Sequence, residues 1–254
     1  MINLHHGDCL EVMDALIEQG VTVDAIITDP PYGTTACKWD SVIPFDAMWE
    51  RLNKLIKPNG AIVLFGSEPF SSLLRVSNIK NYKYDWVWEK SRATGFLNSK
   101  KQPLRAHENI LLFYKTPPPY FPQMSQGEPY TKNMRGVPKE NMYGSFKPHA
   151  PKSESGDRFP RSVLYFKTSE TEPNKGLHPT QKPVALMEYL IKTYTHEGEM
   201  VLDFTMGSGT TGVACINTGM GFIGIERDDA YFEIAKQRIE EAQNQYPLFK
   251  EAAS

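Results

Sequence analysis

Cysteine is scarce in this sequence. The chain of 254 residues contains three cysteines, Cys9, Cys37 and Cys215, which lie far apart and form no Cys-x-x-Cys pair. This spacing argues against a disulfide framework and against a zinc knuckle. No apolar run reaches the length of about 18 residues that a membrane span needs, and the first residues lack the basic-then-apolar order of a signal peptide. We therefore expect a cytoplasmic protein that binds neither a metal nor a membrane.

An excess of charge of one sign is also missing. The 28 Lys and Arg residues nearly balance the 30 Asp and Glu residues, which leaves a net charge of −2. The distribution is uneven, however, because residues 80–167 hold 16 basic and 7 acidic side chains while the rest of the chain is acidic. A basic middle third predicts a surface that faces a polyanion such as nucleic acid. On charge alone, a solvated basic loop is an equal alternative.

Short apolar runs alternate along the chain with longer amphipathic stretches. This alternation is typical of an α/β sheet. The strands that we predict cover residues 24–28, 61–65, 84–88, 110–114, 200–203 and 221–225. Apolar residues at helical spacing predict helices at residues 45–56, 184–194, 210–218 and 230–242.

Residues 117–160 interrupt this alternation. They contain nine of the 19 prolines, with basic and aromatic residues between them. Proline breaks helices and central strands, and a loop of this length inside a compact domain is usually functional or disordered. Since cationic and aromatic side chains suit phosphate contacts and base stacking, we predict a DNA-facing insertion, with a flexible linker as the alternative. The DNA contacts that we expect, in and before this segment, are Lys90, Arg92, Lys132, Arg135, Lys139 and Lys147.

A first chemical motif, TDPPY, occupies residues 28–32 directly after a predicted buried strand. In open α/β sheets, ligands bind at the carboxyl ends of strands. Pro30 and Pro31 fix the backbone and carry no amide hydrogen, so their carbonyl groups are available to a donor on a ligand. Asp29 adds an acceptor, and Tyr32 adds a flat aromatic face. This combination suits a planar group with an amino donor, such as the edge of adenine or cytosine, and a plain turn is the alternative.

A second motif, VLDFTMGSGTTG, occupies residues 201–212 and combines a strand, a glycine-rich turn and the start of a helix. Glu226 follows Gly207 by 19 positions, a spacing that suits an acidic residue at ribose hydroxyls. A dinucleotide site also fits the glycine pattern. Asp203 at the strand tip would repel a pyrophosphate, however, and it suits a cationic amino-acid group better.

The two motifs together resemble the DNA amino-methyltransferases, which transfer a methyl group from S-adenosylmethionine to exocyclic amines of adenine or cytosine. TDPPY precedes the glycine turn and the basic insertion lies between them, an order that resembles the β class of this family. GDCL, PNGAIVLFGS, HENILLFYK, HPTQKP and GIE extend the resemblance over nearly the whole chain. It implies a Rossmann-like α/β fold with a mostly parallel seven-stranded sheet, helices on both faces and the catalytic half first. Residues 1–115 would form that half, residues 116–165 the target-recognition insertion, and residues 166–254 the cofactor half.

The resemblance also assigns roles to single residues. The catalytic motif that it implies is Asp29, Pro30, Pro31 and Tyr32. The cofactor-binding residues that it implies are Asp8, Cys9, His178, Lys182, Asp203, Thr205, Gly207, Gly209, Thr210 and Glu226. Asp203 is expected near the methionine amino group, Lys182 near the methionine carboxylate and Glu226 at the ribose hydroxyls.

One departure from the family pattern lies in front of the glycines. The family commonly has Asp-Pro-Phe there, whereas this chain has Asp203-Phe204-Thr205. The aromatic residue comes one place early, so the stacking of Phe204 on the cofactor does not follow from the pattern.

The resemblance implies a site-specific DNA methyltransferase that acts on the N6 amine of adenine in double-stranded DNA, within a restriction-modification context. Asp29 opens the tetrapeptide, as in the adenine enzymes, whereas most cytosine-N4 enzymes have Ser there. Cytosine-N4 methylation is the nearest alternative, followed by RNA or protein amine methylation and by a catalytically silent DNA-binding module. Cytosine-C5 chemistry is rejected because no cysteine follows a proline. A homodimer is an alternative to a monomer.

Overall fold

The computed structural model describes residues 1–34, 40–131, 152–168 and 181–253. The chain divides into two units, one formed by Met1–Phe121 and Ser162–Ser254 and the other by Pro122–Arg161. The strands of the larger unit are β1 (Ile2–His6), β2 (Val23–Thr28), β3 (Ile56–Gly66), β4 (Tyr82–Thr94), β5 (Arg105–Phe113), β10 (Val163–Phe166), β11 (Met200–Asp203) and β12 (Gly221–Glu226). Its helices are α1 (Cys9–Glu18), α2 (Phe45–Leu55), α3 (Phe70–Ser77), α4 (Val184–Tyr194), α5 (Thr210–Asn217) and α6 (Asp229–Ala253).

The eight strands form one sheet in the order β1-β12-β11-β2-β3-β5-β4-β10. The first five strands run parallel to one another, β5 is antiparallel to both of its neighbours, and β10 pairs parallel to β4 at the edge. The sheet is therefore mostly parallel, as expected, and in the described part of the chain it has one strand more than the seven expected.

Side chains that alternate along the strands build a core on each face of the sheet. Ala25 and Ile27 face one core with the apolar residues of α4, α5 and α6, whereas Ile26 faces the other with those of α1, α2 and α3. Successive side chains of a strand point to opposite faces, so the continuous apolar runs of β2 and β3 fill both cores. The result is the helix–sheet–helix arrangement of a Rossmann-like α/β fold.

The sheet begins earlier in β3 than the sequence indicates. We predicted that residues 58–60, Pro-Asn-Gly, end a helix before a strand at residue 61. Instead α2 ends at Leu55 and β3 starts at Ile56. The pairing with β2 shifts register between Val23 and Ala25, so residues 58–60 form an irregular stretch inside the strand rather than a turn outside it.

The smaller unit, Pro122–Arg161, holds two short antiparallel pairs in its described part. These are β6 (Ser125–Gln126) with β9 (Asp157–Arg158) and β7 (Tyr130–Thr131) with β8 (Lys152–Ser153). The Arg158 guanidinium lies 4.4 Å from the centre of the Tyr130 ring, a cation–π contact. This proline-rich segment therefore contains ordered strand pairs where the sequence predicts only a loop.

Candidate active site

The two sequence motifs follow neighbouring strands at the middle of the sheet. TDPPY begins at the end of β2, and the glycine turn begins at the end of β11, which pairs parallel to β2. From β2 the chain continues towards β3 on one side, and from β11 it continues to β12 on the other. Such a switch point in strand order opens a crevice at the carboxyl ends of the strands. A cavity of about 370 Å³ lies there and is lined by residues of both motifs.

Asp203 is buried at the floor of this cavity. Its carboxylate accepts hydrogen bonds from the hydroxyl groups of Thr28 and Thr211, each at 2.5 Å, and from the amide of Thr205 at 3.1 Å. Burial removes water from the charged form and raises the pKa of Asp203 to about 6, while the hydroxyl donors oppose this shift. A cation in the cavity would favour the ionised carboxylate.

The glycine turn brings the backbone next to the cavity. Gly207 and Gly209 have positive φ angles of 52° and 80°, a region that glycine adopts without steric cost. A Cβ on Gly209 would lie 2.9 Å from the Cβ of Ala235 in α6. Arg238 of α6 donates to the carbonyl oxygen of Ser208 at 2.5 Å. The turn is thus fixed from behind and presents bare backbone to a ligand.

Glu226, at the end of β12, is held in place by backbone amides. Oε2 accepts from the amide of Gly207 at 2.9 Å, and Oε1 accepts from the amides of Arg227 and Asp228, each at 2.9 Å. A carboxylate oxygen accepts two hydrogen bonds, so Oε2 can accept one more from a ligand hydroxyl. Glu226 lines the same cavity as Asp203. It can therefore accept a hydrogen bond from a ligand in that cavity.

Asp29 stands in a chain of four charged side chains that alternate in sign. Its Oδ2 accepts from Lys182, whose ammonium also lies 3.3 Å from Oε2 of Glu108. The other oxygen of Glu108 pairs with Lys90. The side chain of Lys182 is 7% exposed and those of Lys90 and Glu108 are each 12% exposed. At these exposures, ion pairs keep charge buried only because each partner neutralises the next.

The pKa values of these charged side chains are shifted in different directions. Burial raises the pKa of Asp29 against the opposing charge of Lys182. Burial acts in the same direction on Glu108, but Lys182 and Lys90 together lower the pKa of Glu108 below its usual value. The two carboxylates raise the pKa of Lys182 although burial opposes this. Lys182 therefore stays a cation, and Asp29 is the carboxyl group of the pair that binds a proton more readily.

Tyr32 is fixed against Asp29 and a neighbouring ring. Its hydroxyl group donates to Oδ1 of Asp29, and its ring stacks on that of Phe70 with centres 5.0 Å apart. The amides of residues 32–34 donate to the carboxylate of Asp40 at 2.8–2.9 Å. Within the described residues, no donor contacts the carbonyl oxygen of Pro30, which lines the cavity beside Pro31. The ring of Tyr32 and the carbonyl of Pro30 are therefore the candidates for contacts with a planar ligand.

Asp8 and Cys9 also line the cavity. The Asp8 carboxylate caps α1 by accepting from the amides of Leu10 at 2.9 Å and Glu11 at 3.4 Å. Burial and the charge of Asp8 raise the pKa of the Cys9 thiol to about 12, so it is a neutral lining group. Their expected contact with the cofactor stays a prediction.

Thr205 occupies the position at which the family pattern has an aromatic residue. Its hydroxyl group lies 2.7 Å from that of Thr28 and 3.2 Å from the carbonyl oxygen of Asp29. It therefore joins the two motifs, while Phe204 is buried in the core on the side of α1 to α3. Thr210, which we expected at the cofactor, also lines the cavity and starts α5.

Two of the expected DNA contacts lie in β4. Lys90 lines the cavity and pairs with Glu108, and its ammonium lies 5.2 Å from the ring centre of Trp88. Arg92 is exposed. Five other predicted site residues lie outside the described residues, namely His178, Lys132, Arg135, Lys139 and Lys147.

Several residues of this site were missed in the sequence. Glu108 and Asp40 are buried acidic residues, and Thr28 and Thr211 are buried hydroxyl donors. A usable signal existed for Glu108, because a carboxylate two positions before the apolar run of residues 110–113 needs a charged partner once the strand is buried. The described residues contain no group of three or more His, Cys, Asp or Glu that could hold a metal. They also contain no helix long and apolar enough to cross a membrane.

Two fixed carboxylates beside the glycine turn, Asp203 and Glu226, share one cavity with Asp29 and Tyr32. This arrangement is typical of α/β enzymes that transfer a methyl group to an amine. The comparison with protein families then identifies the chain, because the family described as DNA methylase, with adenine-N6 and cytosine-N4 members, matches residues 23–237. The chain belongs to this family. It is a DNA methyltransferase whose methyl donor is S-adenosylmethionine.

Individual relatives agree with this assignment. The chain is 29% identical over 244 residues to the type II methyltransferase M.HpaI of Haemophilus parainfluenzae, covering 91% of this chain and 72% of the relative. The crystal structure of M1.HpyAVI in complex with SAM is 30% identical, with a TM-score of 0.67 over 94% of this chain and 99% of that one. The cytosine-N4-specific PvuII DNA methyltransferase shares the fold at 16% identity, with a TM-score of 0.67 and coverage of 96% and 92%.

Proposed function

We propose that this DNA methyltransferase transfers the methyl group to the N6 amine of adenine at a specific site in double-stranded DNA. One observation carries the proposal: Asp29, Tyr32 and the free carbonyl of Pro30 line the same cavity as Asp203 and Glu226. Acceptors for an amine and carboxylates for a cofactor thus share one cavity, and direct transfer between two bound groups requires such an arrangement.

The residues present fit S-adenosylmethionine. The buried carboxylate of Asp203 suits its ammonium group, and the fixed carboxylate of Glu226 suits ribose hydroxyls. The backbone of the Gly207-x-Gly209 turn allows close approach, and Asp8 and Cys9 line the wall for the adenine ring. When bound, the cofactor supplies an electrophilic sulfonium methyl group. Lys182, by contrast, is engaged by Asp29 and Glu108, so its expected contact with the methionine carboxylate requires it to serve three anions.

The side chains of the TDPPY motif act on the target base. A base inside a duplex cannot reach the cavity, so it must be extruded at a cost of about a few kcal/mol. Tyr32, already fixed by Phe70 on one side, offers its other face for stacking. Each oxygen of Asp29 carries one contact, and a carboxylate oxygen accepts two. Asp29 and the Pro30 carbonyl can therefore accept hydrogen bonds from the amine and orient its lone pair along the transfer line.

Asp29 can also accept the proton that the amine loses. The nitrogen becomes positively charged as its bond to the methyl carbon forms, and it returns to neutrality by losing a proton. Burial raises the pKa of Asp29 towards that of a useful general base. Lys182 opposes this rise and favours the ionised form of Asp29 before the base arrives. The carboxylate thus receives both the hydrogen bond and the proton.

The choice of adenine over cytosine is supported by the identity of Asp29, since Asp at this position resembles the adenine enzymes. The test is to incubate the protein with S-adenosylmethionine and unmethylated genomic DNA, digest the product and identify methylated nucleosides by mass spectrometry. N6-methyladenine is the expected product. N4-methylcytosine alone would reject the adenine target and keep the fold and mechanism. No product from folded protein that binds the cofactor would point to RNA substrates or to a silent DNA-binding module.

Residues 116–165 are proposed to read the target site, and residues 1–115 and 166–254 to form the catalytic and cofactor halves. The nine prolines and the basic and aromatic residues of residues 117–160 support this. Replacing Lys132 and Arg135 by Ala should reduce the dependence of DNA affinity on salt, by roughly one unit of slope for each phosphate that is no longer neutralised. An unchanged slope would remove both residues from the interface.

We place this activity in the cytoplasm, where a bacterial genome is accessible, and keep the homodimer as the alternative to a monomer.

A further inference from the structure

The hairpin between β4 and β5 ends in exposed apolar side chains. Phe96 is 79% exposed and Leu97 is 99% exposed. Both belong to residues 95–104, which we call the hairpin tip. Large apolar side chains that stand together in water usually mark a surface that another molecule covers.

The hairpin tip is held in a fixed shape by its own backbone. Phe96–Asn98 form a single 3₁₀ turn that starts at Gly95, whose φ of 90° suits glycine. The amide of Ser99 donates to the carbonyl oxygen of Phe96 at 3.0 Å, and that of Lys101 donates to Asn98 at 2.9 Å. The two apolar side chains are therefore presented by an ordered turn.

The position of the tip relates it to the active site. Thr94 and Arg105 pair across the hairpin immediately before the tip, and both line the catalytic cavity. The Arg105 guanidinium donates to the hydroxyl oxygen of Ser67 at 3.2 Å, which anchors the base of the hairpin. Because consecutive Cα atoms are about 3.8 Å apart, the Cα of Phe96 lies within about 7.6 Å of that of Thr94. The backbone of the hairpin tip thus starts directly beside residues that line the cavity.

The charges around the tip indicate what covers it. Residues 90–107 contain five basic residues and no Asp or Glu; the basic residues are Lys90, Arg92, Lys100, Lys101 and Arg105. Such a segment is complementary to the phosphate backbone of DNA. A second copy of the chain fits less well, since a two-fold interface would bring the same basic segment against itself.

We propose that Phe96 and Leu97 form a wedge that enters the DNA stack beside the target base and fills the space left when that base is extruded into the cavity. This proposal rests on the proposed function. Apolar wedges of this kind offset the cost of unstacking in other DNA-binding proteins. The cavity then receives the base, and the exposed Lys100 and Lys101 beside the wedge contact the phosphate backbone.

The test compares Leu97→Ala with wild-type protein on two oligonucleotide duplexes that carry the recognition site mapped from the wild-type product. In one duplex the target base is paired, and in the other it faces an abasic site, so that extrusion is already easy. Leu97 is almost fully exposed, so the variant should melt at the wild-type temperature. Leu73→Ala is the matched control, because Leu73 is also exposed, lies in α3 and does not line the cavity.

For Leu97→Ala we expect kcat/KM on the paired duplex to fall by about tenfold, because the variant loses most of the apolar surface that the leucine would bury in the stack. On the abasic duplex it should come within about twofold of wild type, because the wedge has little extrusion left to assist. Leu73→Ala should match wild type on both.

Equal decreases on both duplexes, or none on the paired duplex, would overturn the wedge while leaving the methyltransferase proposal intact. A wild-type dimer that Leu97→Ala dissociates would also overturn it, in favour of a second copy on the tip. Absence of any methyl transfer to DNA by the wild-type protein would overturn the proposed function and the wedge together.

Discussion

Lowering the pH from 7 to 5 should weaken the binding of S-adenosylmethionine by about tenfold, because Asp203 must be ionised to attract its ammonium group. The pKa of Asp203 is raised to about 6. About nine-tenths of the carboxyl groups are then ionised at pH 7 and about one-tenth at pH 5. Titration calorimetry at a series of pH values between 5 and 7.5 measures this directly.

The hydroxyl group of Thr211 offers a way to move the midpoint. It donates to Oδ2 of Asp203 at 2.5 Å and favours the ionised form. A hydrogen bond to a charged group contributes about 1.5–3 kcal/mol, and one pKa unit corresponds to about 1.4 kcal/mol. In Thr211→Val the pH of half-maximal cofactor affinity should therefore rise by about 1–2 units.

The same pKa shift sets the sign of a stability effect. Because the folded state binds the proton of Asp203 more tightly than the unfolded state, where the pKa is near its ordinary 3.8, unliganded protein loses stability as the pH rises from about 4 to about 6. The loss amounts to about 3 kcal/mol for a shift of about two units. Cofactor binding offsets it, so the rise in melting temperature on adding S-adenosylmethionine should be larger at pH 7 than at pH 5.

Three variants serve as controls for the role of Asp203. Asp203→Asn should bind the cofactor weakly and without pH dependence between 5 and 7, whereas Asp29→Asn should keep the wild-type dependence. Thr193→Val removes a buried hydroxyl group that donates to the carbonyl oxygen of Tyr189 instead, and it should leave the midpoint unchanged. Equal wild-type affinity at pH 5 and pH 7, or an unmoved midpoint in Thr211→Val, would refute the role of Asp203.

Three further changes test the rest of the site. Asp29→Ala should lower methyl transfer by about 10²-fold or more and leave cofactor affinity unchanged, measured with labelled S-adenosylmethionine and by calorimetry; retained turnover would remove Asp29 from the mechanism. Glu108→Gln should move the acidic limb of the kcat–pH profile to lower pH, because the negative charge of Glu108 raises the pKa of Asp29. Lys182→Met should move this limb to higher pH, because Lys182 lowers the pKa of Asp29. Shifts of both variants in the same direction would contradict the role of these ion pairs. Gly209→Ala should lower the free energy of unfolding by about 1–3 kcal/mol, since the new Cβ is strained at positive φ and lies 2.9 Å from Ala235 of α6. Gly198→Ala has the same strain but no neighbouring atom within 4 Å, so it should lower this free energy by less in the same denaturant titration. Equal decreases would exclude a contribution from packing against α6.

The central part of the fold could be predicted from apolar patterning. Residues 184–194 and 200–203 were predicted with the observed bounds of α4 and β11, because their periods and boundaries are local. Patterning failed where pairing decided the outcome. The sequence Pro58-Asn59-Gly60 predicts a turn. β2 pairs with β3 both before and after these residues, however, so they lie within β3. Residues 163–166 pair with β4 at the sheet edge, a contact between segments more than 70 residues apart that no local signal records.

The candidate site shows the same division. The motif residues were found because their chemistry lies in consecutive positions, such as residues 28–32. Glu108 and Lys182 were not joined in advance, since their contact depends on the placement of β5 beside β3 and of the segment before α4 over the same cavity. Lys90 shows the effect of this placement on prediction: its charge indicates DNA, but its position gives it a second partner in Glu108.

The order of charges along Asp29, Lys182, Glu108 and Lys90 explains why one carboxylate and not the other suits the reaction. Glu108 has a cation on each side, which keeps its pKa low despite burial. Burial raises the pKa of Asp29, which has a single cation to oppose this rise, and the negative charge of Glu108 adds to it. We therefore expect a proton released in the cavity to go to Asp29, the residue that we also propose as the acceptor of the amine. The cluster is electrically balanced before substrate arrives, and this balance lets a buried aspartate act as an acceptor rather than as a protonated acid.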